Sequence, residues 1–291
     1  MKGNDPYVAV NLVAEQVIQD QGITELPVDP TAIARNLGIE VLAKPIHAAG
    51  VSGMFFRVRE SYGIAYATHI DNIGFQNFSV AHELGHYFLP GHVDAVLADG
   101  DNHESRAGFT SSDRHEMEAD RFAARLLMPN KLFSAALRRA GDGLAAIETL
   151  HNLCKTSLTA TAIRFTQCTR DPVAIIVSMG NRIDYCFMSD ALKGIEGIDW
   201  IRKHETVPSG TTTFTFNQDA TNVQRAERTS GTSNLQAWFG GRHNTELSED
   251  VIGLGSYGKT LTVLCGIELL DENEEEDEDS LAESWQPKFR R

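Results

Sequence analysis

Apolar side chains recur at helical spacing over residues 9–19, and Gly22 follows as a stop. Beyond Pro27-Val28-Asp29-Pro30 the pattern predicts a second helix over residues 31–37, ending at Gly38. Three short strand-like runs come next, at residues 39–42, 53–57 and 62–67. An apolar helix is then expected to start near Asn77 or Ser79, either of which can cap it, and to stop before Pro90-Gly91. A polar loop over residues 98–113 leads to a strongly helical run at 114–128, halted by Pro129-Asn130. Shorter helices are predicted over 131–140, 144–154 and 158–168. From Asp171 the period changes. Residues 173–179 and 182–188 are strand-like and are joined by Gly180-Asn181, a good hairpin turn, and residues 211–216 and 259–268 read as further strands.

This order of elements predicts an α+β protein in four parts. Residues 1–130 form an α+β unit around the apolar helix, 131–170 a helical stretch resembling a helix-turn-helix, 171–270 a second α+β domain, and 271–291 a tail. The 291 residues, with an apolar fraction of 42% and a charged fraction of 23%, suffice for more than one buried core. The net charge of −14 argues against direct nucleic-acid binding, which needs clustered Lys and Arg. Much of that charge is local, in the acidic run at 271–279, and a self-repelling run of this kind is expected to be disordered. No apolar stretch approaches the length of a membrane span, and residues 1–6 lack an apolar signal core, so a cytoplasmic protein is expected. Cys154, Cys168, Cys186 and Cys265 show no CxxC pairing and are expected to be reduced thiols.

The chemistry concentrates on His82-Glu83-Leu84-Gly85-His86. Two histidines four residues apart project from one helix face and can grip one metal ion, while Glu83 lies beside them as a candidate general base toward water. Residue frequencies alone would produce HExxH in roughly one chain in a hundred of this length, so the surroundings must decide. The helix is otherwise apolar, which puts two imidazoles on a mostly buried element where a metal supplies each with a partner. Gly85 lets another segment approach that face. A catalytic zinc site takes three protein ligands. His92 has the spacing of a metzincin ligand, but Leu89 stands where the turn would need Gly. Glu116 is the preferred third ligand, with Asp120 one turn on as hydrogen-bond acceptor for a ligand histidine, and Glu118 is the alternative. His103 and His115 read as exposed loop or helix-edge residues.

Ser79-Val-Ala-His-Glu-Leu-Gly-His-Tyr-Phe-Leu89, then Glu116-Met-Glu-Ala-Asp-Arg-Phe-Ala-Ala-Arg-Leu-Leu-Met-Pro129, resembles the ImmA/IrrE family of metallopeptidases. Pro27-Val-Asp-Pro-Thr-Ala-Ile-Ala-Arg-Asn-Leu-Gly-Ile-Glu-Val41 is similar to that family's opening segment. The resemblance covers about residues 10–165. It implies a minimal zincin-like fold with the two histidines and a Glu of the following helix as ligands of zinc, or of manganese in its place. It further implies cleavage of a helix-turn-helix repressor, derepressing stress-response or mobile-element genes, and a GAF-type, sensor-like C-terminal domain. The alternative is a metal-binding regulator that sequesters a repressor without cutting it. One departure is local: many members carry Arg where this chain has Asn77.

Gly253-Leu-Gly-Ser-Tyr-Gly258-Lys259-Thr260 satisfies the P-loop pattern, yet the residues that follow prefer a strand where phosphate binding needs a helix N-terminus. A glycine-rich loop between strands is the expectation.

Overall fold

The computed structural model describes residues 7–44, 51–105, 112–242 and 244–268. The chain divides into two compact units, one running through Thr169 and one beginning at Arg170. The acidic run at 271–279 lies outside the described residues.

The first unit opens with α1 (Val8–Asp20) and α2 (Pro30–Asn36). Asp29 caps α2, its Oδ1 accepting from the backbone of Ala32 at 3.0 Å, with Pro30 in the first turn where its missing N–H costs nothing. Strands β1 (Glu40–Lys44), β2 (Gly53–Val58) and β3 (Ser61–Ala67) follow, then α3 (Ile73–Phe88), α4 (His92–Val96), β4 (Asn102–Ser105) and α5 (Arg114–Leu127). Helices α6 (Asn130–Ala140), α7 (Gly143–Cys154) and α8 (Leu158–Cys168) complete the unit. The sheet order is β1-β3-β2-β4, with β1 parallel to β3 and the other pairs antiparallel. Segment 98–113, expected as loop, therefore contributes a strand. Asn102-His-Glu-Ser105 has no apolar alternation to announce it. It is held by backbone pairing to the outer side of β2.

Helix α3 begins earlier than the pattern suggested. Its cap is Asn72, whose Oδ1 accepts from Phe75 N at 3.0 Å. Asn77 and Ser79 sit inside the helix and use their side chains otherwise. Asn77 Nδ2 donates to the Lys155 carbonyl at 3.1 Å, and Ser79 Oγ donates back to the Phe75 carbonyl at 3.0 Å. Three helices then share one core. Val10, Ala14, Val17 and Ile18 of α1 meet Val80, Ala81 and Leu84 of α3 and Phe122, Ala123, Leu126 and Leu127 of α5, with Phe55 and Ile64 from the sheet. Buried Arg164 of α8 donates to the Met128 carbonyl and to Asn130 Oδ1, tying α8 to the end of α5.

The second unit holds β5 (Ala174–Met179), β6 (Arg182–Met188), α9 (Asp190–Lys193), α10 (Thr212–Phe216), α11 (Ala220–Gln224), β7 (Arg228–Asn234), α12 (Leu235–Phe239), β8 (Glu246–Gly253) and β9 (Thr260–Cys265). Its antiparallel sheet runs β6-β5-β9-β8-β7. Residues 211–216, read as a strand, are a capped helix turn. Thr211 Oγ1 accepts from Phe214 N, and Thr213 donates from both its backbone and its hydroxyl to Glu249 Oε1 at 2.6 Å. These tertiary bonds override the strand propensity of Thr and Phe. The P-loop-like segment is a 3-10 turn (Gly255–Tyr257) joining antiparallel β8 and β9, and Lys259 Nζ binds Asp184 Oδ2 at 2.6 Å. It forms the loop between strands that its sequence suggested.

Phe122 is wholly buried and stacks on Phe88 with ring centroids 5.9 Å apart. Phe122→Ala should cost about 3–5 kcal/mol of stability in chemical denaturation, the range for emptying a large buried aromatic site.

Candidate metal centre

Position along α3 and α5 decides which groups meet. Asp113 starts α5, its Oδ1 accepting from the backbone of His115 at 2.8 Å and of Glu116 at 3.3 Å, so Glu116 stands in the first turn and faces α3. The two helices can touch because Gly85 has no side chain. A Cβ placed there would lie 3.0 Å from Ala119 Cα, closer than ordinary van der Waals contact. On the α3 side of this contact His82 Nε2 and His86 Nε2 are 3.2 Å apart. Glu116 places Oε2 3.4 Å from the first and Oε1 3.2 Å from the second. Among the described residues, His82, His86 and Glu116 are the group of His, Cys, Asp and Glu side chains whose ligand atoms all lie within 4.8 Å of one another.

The donor set and its spacing fit a small divalent cation. Ligands about 2.0–2.1 Å from a tetrahedral zinc ion stand about 3.3 Å from one another, which is the spacing found here. Asp120 Oδ1 lies 2.8 Å from His82 Nδ1, and a carboxylate can only accept, so Nδ1 carries a hydrogen and Nε2 is the nitrogen that could bind a metal. Burial presses the His82 pKa downward, but the hydrogen bonds to Asp120 and Glu116 outweigh it and hold the group up at about 10. Burial pushes His86 down to about 4. Burial also works against an ionised Glu116, yet hydrogen bonds from His103, His82 and His86 hold its carboxyl far below the usual range. The raised His82 value reflects a proton held between Asp120 and Glu116, which a bound cation would displace from Nε2.

Glu83 is fully buried and neither carboxylate oxygen has a hydrogen-bond partner among the described residues. Burial lifts its pKa to about 7 against the opposing charge of His82. It fits beside β2 because position 53 is glycine. A Cβ there would stand 2.4 Å from Glu83 Oε1. An unpartnered buried carboxylate is costly in an inert core, which makes Glu83 a candidate for chemistry.

His103, read as an exposed loop residue, stands instead on β4 with Nε2 2.9 Å from Glu116 Oε1 and about three quarters of its side chain covered. Its pKa is raised by that contact with Glu116. No periodic signal marked it, since the strand that carries it had none. His92 and Glu118, weighed as ligands, lie outside the three-residue group. His92 Nε2 faces Glu118 Oε2 at 3.0 Å, and its Nδ1 faces His86 Nδ1 at 3.3 Å. His115 remains half-exposed on α5.

Asp120→Ala should weaken Zn2+ binding about 10–100-fold in chelator competition, the usual effect of removing a carboxylate behind a ligand histidine.

The model of the IrrE N-terminal-like domain, a peptidase family, matches residues 34–166. Among solved structures, a Mycobacterium tuberculosis transcriptional regulator has a similar fold, with a TM-score of 0.55 at 14% identity over 89% of this chain and 76% of that one. At that identity the likeness concerns the fold alone. No curated protein matches the sequence. The matched segment contains the helix crossing, Glu83 and the His82–His86–Glu116 group, and it supports a metallopeptidase type of function. Residues 34–166 thus match an IrrE N-terminal-like domain, similar to the ImmA/IrrE peptidases, and a second, antiparallel-sheet unit follows in the chain.

Proposed function

We propose that this chain is a zinc-dependent endopeptidase, with His82, His86 and Glu116 as metal ligands and Glu83 as general base, acting on a helix-turn-helix transcriptional repressor. The observation that carries the peptidase reading is the buried, unpartnered carboxylate of Glu83 beside the three-residue group. A site that only held a metal would have no use for it. A bound zinc ion supplies Lewis acidity toward a peptide carbonyl and toward water. Glu83 takes a proton from the attacking water and delivers it to the departing amine nitrogen, so that the C–N bond breaks as the new C–O bond is completed. Asp120 holds the His82 ring through Nδ1, and the glycine at position 53 leaves room for the Glu83 carboxylate. Manganese is the alternative metal.

The family match supports a protein as substrate, and the description of the Mycobacterium tuberculosis fold relative as a transcriptional regulator accords with a regulatory role. Derepression of stress-response or mobile-element genes, and sensing by the second unit, belong to the same proposal. No helix among the described residues is long and apolar enough to cross a membrane.

Purified, zinc-loaded protein incubated with a repressor encoded beside its gene should yield a new band that EDTA abolishes. Glu83→Gln should bind zinc as the parent does and lose cleavage by at least a hundredfold. Cleavage that persists in Glu83→Gln excludes this residue as base. Tight binding of the repressor without cutting by the zinc-loaded parent favours the sequestering regulator.

A further inference from the structure

His92 and Glu118 are each buried or largely covered, each lies close to the metal group, and neither belongs to it. Their contacts determine where every imidazole hydrogen sits. Glu118 Oε1 accepts from Arg114 Nε at 2.8 Å, an ion pair one helical turn apart that marks Glu118 as a carboxylate. Facing an ionised carboxylate at 3.0 Å, His92 Nε2 must carry a hydrogen. With Nε2 as its donor to Glu118, His92 leaves Nδ1 to meet His86 Nδ1. If His86 binds a metal through Nε2, its Nδ1 carries the hydrogen and donates to His92 Nδ1 across 3.3 Å. His86 Nε2 is turned toward His82 Nε2 and Glu116, where a shared ion would sit.

We propose that His92 and Glu118 are positioning residues that fix His86 as a metal ligand, through a run of hydrogen bonds from His86 Nδ1 to His92 and from His92 Nε2 to Glu118. His82 receives the same service from Asp120 directly. The two ligands on α3 thus have unlike supports, one a carboxylate in contact and the other a carboxylate acting through an intervening ring. The geometry explains why His92 sits six residues past His86. Leu89 ends α3 in an extended conformation, and Gly91, with φ of 80°, turns the chain so that α4 begins with His92 folded back over the last turn. The hydrogen bond from His92 N to the Leu89 carbonyl at 3.2 Å holds that return. This inference rests on the reading of His82, His86 and Glu116 as a metal centre.

The test uses the full chain, Zn2+ affinity by chelator competition, and the visible spectrum of the Co2+-loaded protein. Wild type should bind one Zn2+ and His86→Ala should lose it. Absence of binding by wild type overturns the metal centre itself and this inference with it. Given a functioning centre, His92→Leu should weaken Zn2+ about 10–100-fold and alter the Co2+ bands, because His86 loses its acceptor. His92→Asn keeps an acceptor oxygen near the Nδ1 position and should recover most of the affinity. Glu118→Gln, which preserves shape should the His92 variants misfold, should weaken Zn2+ several-fold. Affinities within twofold of wild type in His92→Leu and in Glu118→Gln, with unchanged Co2+ spectra, overturn the proposal. Equal losses in His92→Leu and His92→Asn also overturn it, since they mark a packing role.

Discussion

Where α3 crosses α5, the backbone at Gly85 meets Ala119 with no side chain between them. That contact sets the distance from the His82 and His86 rings to Glu116, and the same crossing carries Asp120 to His82 and Glu118 to His92. A methyl group at position 85 would have to displace backbone rather than the tip of a flexible side chain. The hydrophobic core works to the same end. Phe122, Ala123, Leu126 and Leu127 press the lower part of α5 into the α1–α3 interface, so the polar upper turn is delivered to the site by apolar burial below it.

The polar groups gathered there would be unfavourable without an organising charge. Three lone-pair-bearing groups converge within hydrogen-bonding distance, two of them wholly buried, and a fourth group, Glu83, is buried without a donor. Each surrounding residue offsets part of this. Asp120 and His92 orient rings, His103 contacts Glu116, and β2 leaves space at Gly53. Carboxylates thus stand beside or behind the imidazoles, an arrangement into which a small divalent cation would fit.

The parts of this design legible from sequence were those with a period or a stop. The four-residue spacing of His82 and His86, and of Glu116 and Asp120, translated directly into shared helix faces, and Pro90 and Pro129 marked real helix ends. Gly180-Asn181 marked a real hairpin, and the P-loop-like segment was readable as a decoy from what followed it. What escaped was determined at a distance. Strand β4 is polar and exists through its pairing with β2, so His103 could not be placed beside Glu116. The polar strand β7 was hidden for the same reason, and residues 211–216 became a helix through a bond to Glu249, far along the chain. The cap of α3 fell to Asn72 because the apolar stripe does not mark the first turn. His92 and Glu118 were visible as candidates, but only the fold showed that they face each other.

The crossing of α3 and α5 has a thermodynamic corollary. All three residues of the candidate site lie on these two helices, so a bound ion would act as a cross-link between them, and the free energy of opening α5 away from α3 would rise with ion activity. At a free concentration a hundred times the dissociation constant that linkage is worth about 2.7 kcal/mol, enough to reduce such openings roughly a hundredfold. The lifetime of this part of the chain, and its exposure to other proteases, would then track the availability of the metal whether or not any substrate was present.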